Sequence, residues 1–186
     1  MIAKGSPLDG MNVGSATTVS IRELPGMQSI DLRVAPGSEA QAAIIKVLDV
    51  DLPAKTGKIS EGELNESYAL CLAPDWWLIV GLIDTEEKLR LLKDQFHFSV
   101  VNVSGQRTTI ELEGPNAREV LAHLWEQDLR DKNFPVGSVS QGLMAKAPVI
   151  VCHIAPNRYR LMVRSSFAVH LWKTLIDAAE EYLMPN

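Results

Sequence analysis

The sequence predicts an α+β fold that is internally duplicated. Two strand–helix–strand–strand–helix halves, at about 29–96 and 109–183, are expected to share antiparallel sheet. Three observations carry this reading. First, short stretches with period-two apolar alternation are interleaved with stretches of helical period. Second, three segments recur in the same order. Ile30-Asp31-Leu32-Arg33 matches Ile110-Glu111-Leu112-Glu113 at a shift of 80 residues, and 57–62 matches 137–142 at the same shift. Ala73-Pro74-Asp75 matches Ala155-Pro156-Asn157 at a shift of 82, with Leu78-Ile79-Val80 set against Leu161-Met162-Val163. Third, this spacing is too long for a solenoid repeat, so two α+β halves account for it better.

The clearest element is 100–125. Ile110 and Leu112 alternate with Thr109, Glu111 and Glu113, as in a half-buried strand. Gly114-Pro115 stops that strand, and proline suits a helix start because it has no N–H to satisfy. Ala117, Val120, Leu121, Leu124 and Trp125 then form one apolar helical stripe.

Taken in order, residues 1–18 are rich in Gly, Ser and Thr and are read as a mobile arm ahead of a single domain at 19–186. Residues 19–23 and 29–34 are strands, separated by Pro25-Gly26. Ser38 and Gln41 form a capping box for a helix through Leu48. A polar connector with Gly57 and Gly62 leads to strands at 68–72 and 76–82. Asp84 and Glu87 are expected to cap a helix reaching about Phe96. Arg107 is placed in a polar link between strands. After the central helix come strands at 138–145, 149–154 and 159–163. A last helix from about Ser165 buries Ala168, Leu171, Trp172, Leu175, Ile176 and Ala179.

Composition limits the function. The 186 residues are 46% hydrophobic and 22% charged, with a formal charge of −5. An acidic chain argues against a general nucleic-acid binder, which needs a basic face. No apolar run approaches the ~18 residues of a membrane helix. The first residues lack the apolar core of a secretory signal. Cys71 and Cys152 give no disulfide framework, so a cytoplasmic setting is expected.

Chemistry is sparse. His97, His123, His153 and His170 form no metal-ligand spacing, and Cys152 and His153 point to opposite faces of a strand. There is no P-loop and no Gly-x-Gly-x-x-Gly. The pair Glu111 and Glu113 is read as a solvated strand face. Three features remain as candidate contacts. One ring of Trp76-Trp77 should face the core and the other outward, where it is either an interface anchor or a partly buried surface side chain. Arg158, Arg160 and Arg164 share one strand face with Met162, available to an acidic partner or to solvent. Arg107 could reach a partner or solvent. No catalytic, cofactor-binding or metal residue is assigned.

The stretches Asn102-Val103-Ser104-Gly105-Gln106-Arg107-Thr108, Glu113-Gly114-Pro115-Asn116-Ala117-Arg118-Glu119-Val120-Leu121, Ala73-Pro74-Asp75-Trp76-Trp77-Leu78 and Phe134-Pro135-Val136-Gly137 resemble the gamma subunit of heterotetrameric sarcosine oxidase. So does Leu161-Met162-Val163-Arg164-Ser165-Ser166-Phe167-Ala168 with Leu171-Trp172, and Ser6-Pro7-Leu8 is similar to that family's start. The family is related to the folate-binding domain of aminomethyltransferases. The resemblance implies a non-catalytic subunit of a complex that oxidises sarcosine to glycine, passes the one-carbon unit to tetrahydrofolate or releases it as formaldehyde, and makes hydrogen peroxide. It implies alpha, beta and delta partner subunits, with FAD, FMN, NAD, tetrahydrofolate and zinc held there. The chain departs from the folate enzymes: Asn102 stands where they carry an acidic residue, and their Gly-Gly with paired aspartates has no counterpart. The alternative is a free-standing folate-binding, one-carbon transfer module.

Overall fold

The computed structural model describes residues 5–60, 67–82 and 84–183. Residues 1–4 of the predicted arm and Gly62 of the connector lie outside the described residues. The chain divides into two compact units. A continuous unit comprises 27–104, and a split unit comprises 1–26 with 105–186.

The continuous unit runs β3 (Ser29–Arg33), α1 (Glu39–Leu48), β4 (Tyr68–Ala73), β5 (Trp76–Val80), α2 (Thr85–Arg90) and β6 (Ser99–Asn102). Its four-stranded antiparallel sheet has the order β4-β5-β3-β6, extended by an isolated bridge from Ile59 to Leu70. Ile30, Leu32, Ile44, Leu48, Ala69, Cys71, Trp77 and Ile79 are among its core. The capping box forms as expected at α1. Ser38 Oγ accepts the Gln41 amide at 3.2 Å, and the Gln41 side chain reaches back to the Gly37 amide at 2.6 Å. The helix after Asp84 is shorter than predicted. Asp84 sits in the left-handed region and makes no side-chain cap, and beyond Arg90 the chain continues as turns closed by bonds such as Lys93 N–H to the Arg90 carbonyl at 3.1 Å, with Leu92 and Phe96 still packed against the core.

The split unit runs β1 (Asn12–Gly14), β2 (Ser20–Leu24), β7 (Arg107–Glu113), α3 (Ala117–Leu124), β8 (Val139–Met144), β9 (Ala147–Ala155), β10 (Arg158–Arg164), a single 3-10 turn (Ser165–Phe167), α4 (Ala168–Ala178) and α5 (Glu180–Leu183). Its sheet has six strands in the order β1-β2-β7-β10-β9-β8. The core joins Ile110 and Leu112 of β7 to Val120 and Leu121 of α3 and to Leu171 and Leu175 of α4. Gly142 in β8 leaves room for the Trp125 indole, whose Nε1 would lie 2.8 Å from an added Cβ.

Two expectations are corrected here. The halves do not share a sheet, because β3 and β7 belong to separate antiparallel sheets. The described part of the expected arm, residues 5–18, is built into the split unit. Leu8 is in the core, Asn12–Gly14 pairs with β2, and buried Glu23 accepts hydrogen bonds from the Ser6 hydroxyl and, at 2.6 Å, from the Gly10 amide. Polar composition concealed this, since one leucine, the backbone pairing of β1 with β2 and the buried Glu23 carboxylate do the anchoring.

The two units repeat one pairing scheme. Asp31 pairs with Leu78 and Arg33 with Trp76 in one, and Glu111 pairs with Arg160 and Glu113 with Arg158 in the other. The register irregularity between Cys71 and Ala73 against Trp77 and Trp76 recurs between His153 and Ala155 against Tyr159 and Arg158. Trp76 therefore corresponds to Arg158, and Leu78 to Arg160. The sequence match of Leu78-Ile79-Val80 to Leu161-Met162-Val163 is out of step by one residue, a slip that would turn every side chain to the other face.

Candidate interaction surface

Glu111 is fully buried, not solvated. It lies on the face of β7 opposite Ile110 and Leu112, in a row with Arg22 of β2 and Arg160 of β10. Arg160 Nε donates to its Oε2 at 2.9 Å, Arg22 Nε to its Oε1 at 3.0 Å, and Arg158 Nη2 to its Oε1 at 3.2 Å. A carboxylate taken from water needs such partners, since unpaired burial of a charge costs several kcal/mol, on the order of its effective desolvation penalty. Burial opposes ionisation of Glu111, but the bonds from Arg160, Arg22 and Arg158 outweigh it and hold its carboxyl below the ordinary glutamate range. Glu113, at the half-exposed end, lies 3.9 Å from Arg22 and 4.0 Å from Arg158.

This arrangement corrects the reading of the arginines as a free face. Arg160 is 3% exposed and pairs with Glu111, so no partner subunit can reach it. Arg158 also turns to Glu111, with its side chain 23% exposed. Arg164 remains exposed at the end of β10. Arg107 is not in a link. It opens β7, opposite Arg164, and is half-buried.

The tryptophan pair divides as the alternation predicts. Trp77 is fully buried among Ile30, Leu32 and Ile44, and its Nε1 donates to the Pro53 carbonyl at 3.0 Å. Trp76 is half-buried on the other face. Its Nε1 donates to Asp31 Oδ1 at 3.0 Å, and the Arg33 guanidinium lies 4.7 Å from its ring centroid. Arg33 Nη1 in turn pairs with Asp75 Oδ1 at 3.1 Å. Val101 of β6, opposite Asp31, is 49% exposed. Asp31, Arg33, Trp76 and Val101 thus form one apolar and charged surface. Only Trp76 had a sequence signal; Asp31 and Val101 join it through strand register.

The nucleophile and ligand candidates are structural in their surroundings. Burial raises the Cys71 thiol above its usual range, against a Thr56 hydrogen bond, and pushes Cys152 up to about 12 despite the charge of Arg160. His153 is buried between aromatic rings, 4.5 Å from the Tyr159 centroid and 5.9 Å from that of Phe134, with Nδ1 2.8 Å from the Phe134 carbonyl. Among the described residues no group of three or more His, Cys, Asp or Glu is placed to hold a metal ion. Asn102 Oδ1 accepts the Ser104 amide at 3.1 Å and closes a local turn. No helix among the described residues is long and apolar enough to cross a membrane.

Comparison with known proteins places this geometry. The model of the sarcosine oxidase, gamma subunit family matches residues 34–181. The chain is 30% identical over 180 residues to sarcosine oxidase subunit gamma of Corynebacterium sp. (strain U-96), covering 94% of this chain and 86% of that protein. A chain of the heterotetrameric sarcosine oxidase from Corynebacterium sp. U-96, solved in complex with pyrrole 2-carboxylate, superposes with a TM-score of 0.89 at 28% identity and 98% coverage of both chains. Aminomethyltransferase T of the glycine cleavage system from Bartonella henselae shares the fold, at a TM-score of 0.60 and 15% identity, over 86% of this chain and 46% of that one.

Proposed function

The chain belongs to the sarcosine oxidase gamma subunit family, and from that membership we propose that it is a non-catalytic assembly subunit of a heterotetrameric sarcosine oxidase. The observation that carries this is the likeness to a chain of such a complex over 98% of both chains. In this reading the complex oxidatively demethylates sarcosine to glycine, transfers the one-carbon unit to tetrahydrofolate and forms hydrogen peroxide. Alpha, beta and delta subunits are the partners, and they hold FAD, FMN, NAD, tetrahydrofolate and zinc. The chain's own residues fit a scaffold better than a cofactor site. Glu111 is closed off by three arginines, Cys152 is a buried thiol, and Asn102 is held in a turn.

The chain then works through its surface. Trp76 is the candidate anchor, with Arg164 and the half-buried Arg107 as further contacts. Stable complexes bury ~1,600 Å² in total, and a few aromatic or arginine side chains carry much of the binding.

Co-expression with the other subunits tests the proposal. The chain should co-purify with a flavin-containing complex that makes peroxide from sarcosine. Purified alone it should show no flavin absorbance, no sarcosine-dependent peroxide and at most weak folate binding. Micromolar affinity for tetrahydrofolate by calorimetry, with no capture of a flavoprotein, would favour a free-standing folate module instead.

A further inference from the structure

The repeated pairing scheme allows each unit to be compared with the other, position by position. In the split unit the row across the sheet is Arg22, Glu111 and Arg160, an acid between two cations. In the continuous unit the same row is Val101, Asp31 and Leu78. The carboxylate persists and both cations are replaced by aliphatic side chains. We propose that a partner subunit supplies the missing cation: an arginine or lysine side chain of another subunit docks on Asp31, between Trp76 and Val101, as Arg22 docks on Glu111. This rests on the assembly reading above and adds the chemistry of the contact.

Three observations support it. First, among the described residues Asp31 has no cation in ion-pair range. Arg33, its neighbour on the same face, pairs with Asp75 at 3.1 Å and lies over Trp76. The Trp76 Nε1, at 3.0 Å, is the hydrogen bond that Asp31 accepts. Second, the surroundings suit the stem of a long basic side chain. Val101 is 49% exposed beside Asp31, and the half-buried Trp76 ring flanks the carboxylate on the neighbouring strand. Arginine and lysine pack their methylenes on such surfaces while the charged head reaches an acid. Third, the carboxylate is already oriented by the indole, so docking does not have to order it. A half-buried carboxylate with a fixed rotamer and an apolar border gains more from an incoming cation than a solvated surface acid does.

Two substitutions separate this contact from the fold. Asp31→Asn keeps an oxygen for the Trp76 indole and removes the charge. Val101→Arg places an arginine where Arg22 stands in the other unit, so the chain would satisfy Asp31 by itself and exclude the partner. Each variant is titrated by biolayer interferometry onto the immobilised remaining subunits, co-purified without this chain, at low and at physiological salt, with melting curves as a fold control. Both variants should bind about tenfold or more weakly, with the melting midpoint of Asp31→Asn near that of wild type, and Asp31→Asn should flatten the salt dependence. Glu180→Gln, an exposed carboxylate of α5 in the split unit, should bind as wild type. Binding of both variants within about twofold of wild type overturns the Asp31 contact and leaves the assembly reading standing. Failure of wild type to bind any subunit overturns the assembly reading, and this contact with it.

Discussion

Glu111 and Arg160 face one another across β7 and β10, Oε2 to Nε at 2.9 Å, with Glu111 shut off from solvent and Arg160 3% exposed. The pair is completed by Arg22, which comes from the far end of the chain, and by Arg158. Because all three cations converge on one carboxylate, its removal strands charge in the interior. Glu111→Gln should destabilise the protein by about 3 kcal/mol, the range for breaking a buried pair from one side. Urea unfolding of wild type and variant measures it. A loss below about 1 kcal/mol would mean that the arginines relax into water without cost.

The same carboxylate sets an acid dependence. Its folded-state titration lies below the ordinary value, burial being outweighed by Arg160, Arg22 and Arg158. The stabilisation it gives is therefore present above the unfolded glutamate value of ~4.3 and lost as pH falls through the lower folded value. The difference in urea midpoint between wild type and Glu111→Gln should be constant from neutral pH to about 5 and shrink below about 4. A difference that grows on acidification would contradict the ion-pair account.

Gly114 ends β7 at φ 132°, and a Cβ there would lie 2.5 Å from the Thr18 carbonyl oxygen. Backbone rather than a flexible side chain is in the way, and the φ itself disfavours any L side chain. Gly114→Ala should cost about 2 kcal/mol or more. Gly26, also at positive φ but with nothing within 4 Å of an added Cβ, should lose about 1 kcal/mol as alanine. Thermal or urea unfolding of the two variants ranks them, and equal losses would discount the contact with Thr18.

The elements that a single stretch of sequence specifies were legible. Ser38 with Gln41, the Gly114-Pro115 corner and the stripe of α4 all lie where local pattern puts them, although α3 opens at Ala117 rather than at Pro115. What failed depended on distant strands. Glu111 reads as solvated because alternation marks only one apolar face, whereas Cys152 and His153, neighbours on opposite faces of β9, are both buried. Its partner Arg22 is 89 residues away and carries no local signal. Strand β1 and the buried Leu8 were hidden in a polar segment for the same reason. For the surface, the tryptophan alternation was legible, and the register that sets Val101 beside Asp31 was not.

Both cysteines should resist thiol reagents in the native state. Cys71 and Cys152 are buried, and burial raises both thiols, Cys152 to about 12. The thiolate is the reactive form, so neither should react with a disulfide reagent at pH 8 until the protein unfolds. Two thiols titrated only after addition of guanidinium is the expected result; rapid labelling of either under native conditions would show that its strand opens.

The neighbouring tryptophans should separate stability from assembly. Trp77 fills the core of the continuous unit and donates to the Pro53 carbonyl, so Trp77→Ala leaves a large cavity and an unpaired acceptor. A loss of about 3–5 kcal/mol is expected from such a truncation. Trp76 lies half-buried on the opposite face, where its ring is flanked by Arg33 and its indole nitrogen by Asp31. Trp76→Ala should cost about 1 kcal/mol of stability, yet about 2 kcal/mol or more of affinity for the flavoprotein subunits if it is the anchor. Unfolding curves give the first quantity, and titration of the folded variants onto the partner complex gives the second. Arg164→Ala, exposed at the end of β10, belongs in the same titration. If Trp76→Ala and Arg164→Ala bind as tightly as wild type, neither side chain anchors the interface, and Trp76 is a surface side chain held by its own neighbours.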